Sequence, residues 1–171
     1  MRWFSFAILA LITLVLQVGA TRVFGLGPQS LAPDLLLLVA VVLALRGPAD
    51  GALIACWILG LAKDLTSAAA LGSYALAFGL LALVIVRLRN LLYVPNPLTL
   101  IVLTALASLA VEQAVYLMWL LRGGASGGFP GLLLQMALSA LITAALAPYG
   151  QWLILKLHHP LGLPRHRAFG R

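Results

Sequence analysis

Charge is scarce in this chain, and negative charge scarcest of all. Four of 171 residues are acidic (Asp34, Asp50, Asp64 and Glu112), against eleven Lys or Arg. Only 9% of the sequence is charged and 63% is hydrophobic, where a soluble domain carries about 25% charged residues. A chain of this length cannot bury that much apolar surface in a water-soluble globule. There is one cysteine, Cys56, which excludes an internal disulfide and reads as a small apolar packing residue. The three histidines, His158, His159 and His166, all lie in the C-terminal tail, and neighbours in sequence do not share a helix face. No H-E-x-x-H, paired glutamates on one helix, G-x-S-x-G or phosphate loop is present, so the sequence offers no catalytic constellation, no metal site and no cofactor site. The basic residues are scattered singly between apolar runs without an aromatic stripe, which argues against nucleic acid as a partner.

What is there in abundance is long apolar sequence. The fold class expected is all-α: one integral membrane domain over 1–171, with about six transmembrane helices at 3–21, 31–46, 49–64, 71–88, 97–121 and 130–156 and a basic tail at 157–171. The first run, Trp3 to Ala20, is uncharged and long enough to cross a core about 30 Å thick. Although Val18-Gly19-Ala20 resembles a cleavage site, the run exceeds a usual signal h-region, and it reads as a retained helix. Leu35 to Leu45 is too short to span alone; with its flanks, and with Arg46 snorkelling, it nearly does. Arg2, Arg46, Arg87, Arg89, Lys156, Arg165, Arg167 and Arg171 then fall on one side of the membrane, and Arg22, Lys63 and Arg122 on the other. By the positive-inside rule this puts both termini in the cytoplasm, with Arg46, Arg87 and Arg89 as the topology markers.

Four ionisable residues are candidates for structural or partner contacts: Asp34, Lys63, Asp64 and Glu112. Pro33-Asp34 opens the second helix, where a carboxylate caps free N–H groups. A hairpin hinged at Pro48 brings Asp34 level with Lys63 and Asp64, at an outer interface. Glu112 lies about 15 Å below the outer end of its helix, near the bilayer midplane, at the depth of Ser139 and Thr143. A carboxylate there is functional by default or satisfied by a hydrogen bond. Small residues at four-residue spacing (Gly51, Ala55; Cys56, Gly60) permit close helix contact.

One further pattern crosses several of these segments. Pro33-Asp34 precedes a leucine run (Leu35 to Leu38), then come Leu45-Arg46 and a Pro-containing turn. Gly60-Leu61-x-x-Asp64-Leu65 follows, then Leu71-Gly72 with Ala75-Leu76, and arginines close the fourth helix at Arg87 and Arg89. This stretch resembles MreD, the small membrane subunit of the bacterial rod-shape (elongation) complex. Ala68 and Ala70 stand where that family often has Gly and Pro, and Lys63 takes a usually apolar place.

The resemblance implies a fold similar to the substrate-binding subunit of energy-coupling-factor vitamin transporters. It also implies a non-enzymatic role in cell shape, in the bacterial cytoplasmic membrane. Its partners are then membrane lipid, the single-span MreC and, directly or through it, MreB, RodA and a class B penicillin-binding protein of peptidoglycan synthesis. The alternative is a substrate-binding membrane subunit for a vitamin or another small molecule, with Asp34, Lys63 and Asp64 converging on its pocket.

Overall fold

The computed structural model describes residues 3–24, 33–67, 71–89, 97–123 and 129–156. Residues 25–32 and the expected basic tail at 157–171 lie outside the described residues. Those described form six helices and no strand: α1 (Trp3–Phe24), α2 (Leu35–Arg46), α3 (Ala49–Thr66), α4 (Ser73–Leu88), α5 (Pro97–Leu121) and α6 (Phe129–Lys156).

The bundle is built around α2. This helix is apolar on every face, and every residue from Leu36 to Leu45 is buried. A helix hydrophobic all round needs apolar contacts all round, and α2 touches each of the other five helices. Its length, 12 residues or about 18 Å, falls short of a bilayer. Since α2 is surrounded mainly by other helices, it has no need to span. Sequence alone gave α2 four further residues, from Leu31, to lengthen it; the helix starts at Leu35 because Asp34 is its N-cap.

Around α2 the chemistry is inverted relative to a soluble bundle. Among the described residues, three stretches are long and apolar enough to cross a membrane: Trp3–Ala20, Leu98–Leu121 and Leu133–Gly150. In these same helices the polar residues Thr13, Gln17, Thr104, Ser108, Ser139 and Thr143 are buried, while Phe4, Leu11, Val15, Leu106 and Leu141 are exposed. Hydroxyls inside and large aliphatics outside make sense when lipid is the solvent. The membrane bundle expected from composition is thus what the chain forms.

The hairpin of α2 and α3 is closed at its turn by α4. Arg89 Nη1, at the end of α4, donates to the Gly47 carbonyl at 2.6 Å. Arg46 ends α2, half-buried, and Arg87 is exposed. The three arginines therefore gather at one end of the bundle, as the sequence predicts, and one of them also fastens the turn.

Candidate functional site

At the other end of α2 the chain does something costly: it starts a helix inside the bundle. The depth can be counted from four helices. Asp34 lies 13 residues from the Gly47 turn, Thr143 lies 13 from the end of α6, Gln17 lies 14 from the start of α1, and Glu112 lies 15 from the start of α5. Each count gives about 20 Å from the arginine end. All four residues thus share one plane, roughly halfway along the 28-residue α6. The Asp34 pair, expected from sequence level with an outer interface, thus sits partway along the longer helices. The expectation had let α2 span almost alone, whereas its buried N-terminus stops well inside the longer helices.

Backbone N–H groups exposed at that depth cost several kcal/mol each unless protein satisfies them. Each of three helices contributes to doing so. Leu35 N–H donates to Gln17 Oε1 of α1 at 2.8 Å, and Asp34 N–H donates to Thr143 Oγ1 of α6 at 3.0 Å. Leu37 N–H donates to the Asp34 side chain at 3.2 Å. The remaining carboxylate oxygen of Asp34 accepts from Lys63 Nζ of α3. This ion pair is shielded, with only 13% of the Lys63 side chain and 5% of that of Asp34 exposed. The ammonium also lies over the Tyr74 ring, 4.2 Å from its centroid, and 5.7 Å from that of Phe78, which adds cation–π attraction in a dry setting.

Asp64, the next residue along, serves a different helix. Its carboxylate accepts from the N–H groups of Gly72 (3.0 Å), Tyr74 (2.9 Å) and Ala75 (3.0 Å), which caps the start of α4. Gly72 adopts a positive φ of 91°, a conformation that favours glycine. Gly60, one turn earlier on α3, lies against the backbone of α4; a Cβ there would come within 2.6 Å of Ala75 Cα and Tyr74 O. The Gly60-Leu61-x-x-Asp64-Leu65 and Leu71-Gly72 elements therefore build one feature, a tight α3–α4 corner with its helix end capped from the preceding helix. Of the small residues at four-residue spacing, Gly60 is the one in backbone contact, and Cys56 donates to the Ala40 carbonyl at 3.3 Å.

Glu112 faces the same cluster from α5. The Ser139 hydroxyl bonds to it, and its charge interacts with those of Lys63 and Asp34. Its Oε2 is buried with no hydrogen-bond partner among the described residues. Of the four candidates, Asp34, Lys63 and Glu112 are brought together, and Asp64 is turned away. Sequence reasoning missed Gln17, whose signal was available: an amide in an otherwise apolar span implies a buried partner. It also missed the Arg89 contact, for which one sequence holds no signal.

The capped corner at Gly60, Asp64 and Gly72 and the Pro33-Asp34 helix start are the features to set beside known proteins. A family model described as rod shape-determining protein MreD matches residues 1–155. The chain belongs to the MreD family. It is therefore a rod shape-determining membrane protein, and the family assignment covers all six helices to within a residue of the end of α6. No curated protein and no solved structure gives a match. In this MreD family member Asp34 and Asp64 are thus helix caps first, and Lys63 is the residue that gives one cap a charge partner.

Proposed function

We propose that this MreD family member is a non-enzymatic scaffold of the cell-elongation machinery in the bacterial cytoplasmic membrane. It packs against the transmembrane helix of an MreC-like single-span companion. Through that companion it links peptidoglycan synthesis, by RodA and a class B penicillin-binding protein, to MreB filaments. Both termini lie in the cytoplasm. One observation supports a packing role over chemistry: Asp34, Lys63 and Asp64 are engaged with one another or with helix ends, while the long helices expose large aliphatic and aromatic side chains. A membrane surface of that kind associates through side-chain packing.

Depletion in a rod-shaped host tests the reading. Cells should round up, and a tagged copy should retain the single-span companion through mild detergent purification. Depleted cells that keep their rod shape overturn the proposal. The alternative, a vitamin-binding subunit, gains no support from an ion pair and a helix cap that already satisfy the residues it would need.

A further inference from the structure

Helices α1 and α6 both pack on α2, yet among the described residues their backbones do not approach each other closely. Between them runs a slot of 230 Å³, floored by Leu38 and walled by Leu9 and Thr13 on one side and Leu146, Tyr149 and Gly150 on the other. The Thr13 hydroxyl donates to the Leu9 carbonyl of its own helix at 2.7 Å, and apart from the Tyr149 phenol at the rim the lining is apolar. On the rim, Ile12, Leu16 and Tyr149 are exposed, and the slot opens sideways between two membrane-crossing helices.

Size decides what fits. An apolar cavity of about 150 Å³ already admits benzene. At 230 Å³ the slot therefore has room for a stretch of hydrocarbon chain. Charge then says which chain. Arg46 lies on the α2 face that carries Leu35, Leu38 and Val39, seven residues beyond Val39 and so about 10 Å along the axis. It is half-buried and forms no ion pair with a described residue. A basic side chain at a helix end beneath an apolar slot is the pattern that receives a lipid phosphate.

We propose that the slot between α1 and α6 seats one acyl chain of a membrane phospholipid whose phosphate is held by Arg46. This site stands apart from the companion-packing reading and does not depend on it. The test uses the full chain in nanodiscs of phosphatidylethanolamine and phosphatidylglycerol bearing a diazirine in one acyl chain, with photo-adducts mapped by peptide mass spectrometry. Adducts should concentrate on Leu9, Thr13 and Leu146 relative to exposed positions elsewhere such as Leu83 and Leu106. Ile12→Trp, which fills the rim, should abolish that enrichment. Arg46→Gln should lower lipid retained through detergent exchange by about tenfold, equivalent to about 1.4 kcal/mol, with helix content unchanged. Even labelling over all exposed apolar positions overturns the proposal. So does retention indifferent to Arg46→Gln, or a disulfide from Ile12→Cys to a second protein helix occupying the slot.

Discussion

Lys63→Met removes the cation from the buried pair while keeping most of the side chain's apolar stem. Asp34 is then left as a carboxylate 5% exposed, about 20 Å from the arginine end of the bundle, with the Leu37 N–H as its remaining side-chain partner. Breaking a buried ion pair from one side costs about 3–5 kcal/mol, because the surviving charge is uncompensated. Removing both charges is a different perturbation. Asp34→Asn preserves the cap, since Asn and Asp serve that position about equally, and methionine packs against Tyr74 and Phe78. The double variant should therefore lie within about 1 kcal/mol of the parent chain. Unfolding of the purified protein in mixed micelles, followed by helical circular dichroism, gives the four corners of a double-mutant cycle. The expected coupling is at least about 2 kcal/mol. If Lys63→Met alone costs less than about 1 kcal/mol, the pair behaves like a solvated surface bridge, and the buried plane described above is wrong.

Further perturbations separate the corner from the plane. Gly60→Ala places a methyl 2.6 Å from α4 backbone atoms, and backbone cannot yield as a side chain does; the cost should be about 1–3 kcal/mol, read in the same unfolding assay. Asp64→Leu strands three N–H groups at the start of α4 and should be more damaging than Asp64→Asn, which keeps an acceptor; equal effects would deny the cap. Thr143→Val keeps the shape but leaves Asp34 N–H without its acceptor, for a loss of about 1–3 kcal/mol. Arg89→Gln frees the Gly47 carbonyl and should raise hydrogen exchange locally at the α2–α3 turn without unfolding the bundle.

Much of this architecture was legible because lipid imposes simple rules. Apolar run length located α1, α5 and α6, and the Arg46-Gly47-Pro48 hinge located the hairpin. Counting outward from the hinge brought Asp34 to Lys63, since an antiparallel pair has only one free parameter. The length of α2 was overestimated for a reason the sequence hides. Hydropathy cannot say whether an apolar helix contacts lipid or protein, and α2 was lengthened to fill a bilayer it does not meet. Once α2 is central, its N-terminus has to find protein acceptors, and the otherwise unexplained Gln17 and Thr143 supply them. Asp64 makes its contacts with the start of α4 and not with Asp34. Adjacent residues on a helix end point about 100° apart, so Lys63 and Asp64 could not both face Asp34. One turns to α2, the other to α4.

That divergence orders the site by how much each residue is required. Gly60, Asp64 and Gly72 set a backbone path, and no other residue types satisfy all three positions: close approach at Gly60, three N–H acceptances at Asp64, and positive φ at Gly72. Asp34 is nearly as constrained, because the α2 N-terminus it caps is buried from every side. Lys63 is different in kind. Its ammonium bonds to the Asp34 carboxylate, and none of the described backbone N–H groups depends on its side chain. Its role is to offset the charge of Asp34, and an apolar residue there leaves that task to another group of the same plane. Glu112, with one oxygen bonded by Ser139 and the other unpartnered among the described residues, adds a second carboxylate that Lys63 also faces. Replacing Glu112 with Gln should therefore strengthen the hold of Lys63 on Asp34 and raise stability in the unfolding assay. A loss there would mean that the ammonium is shared between the two carboxylates and that neither helix start nor midplane acid is satisfied without it.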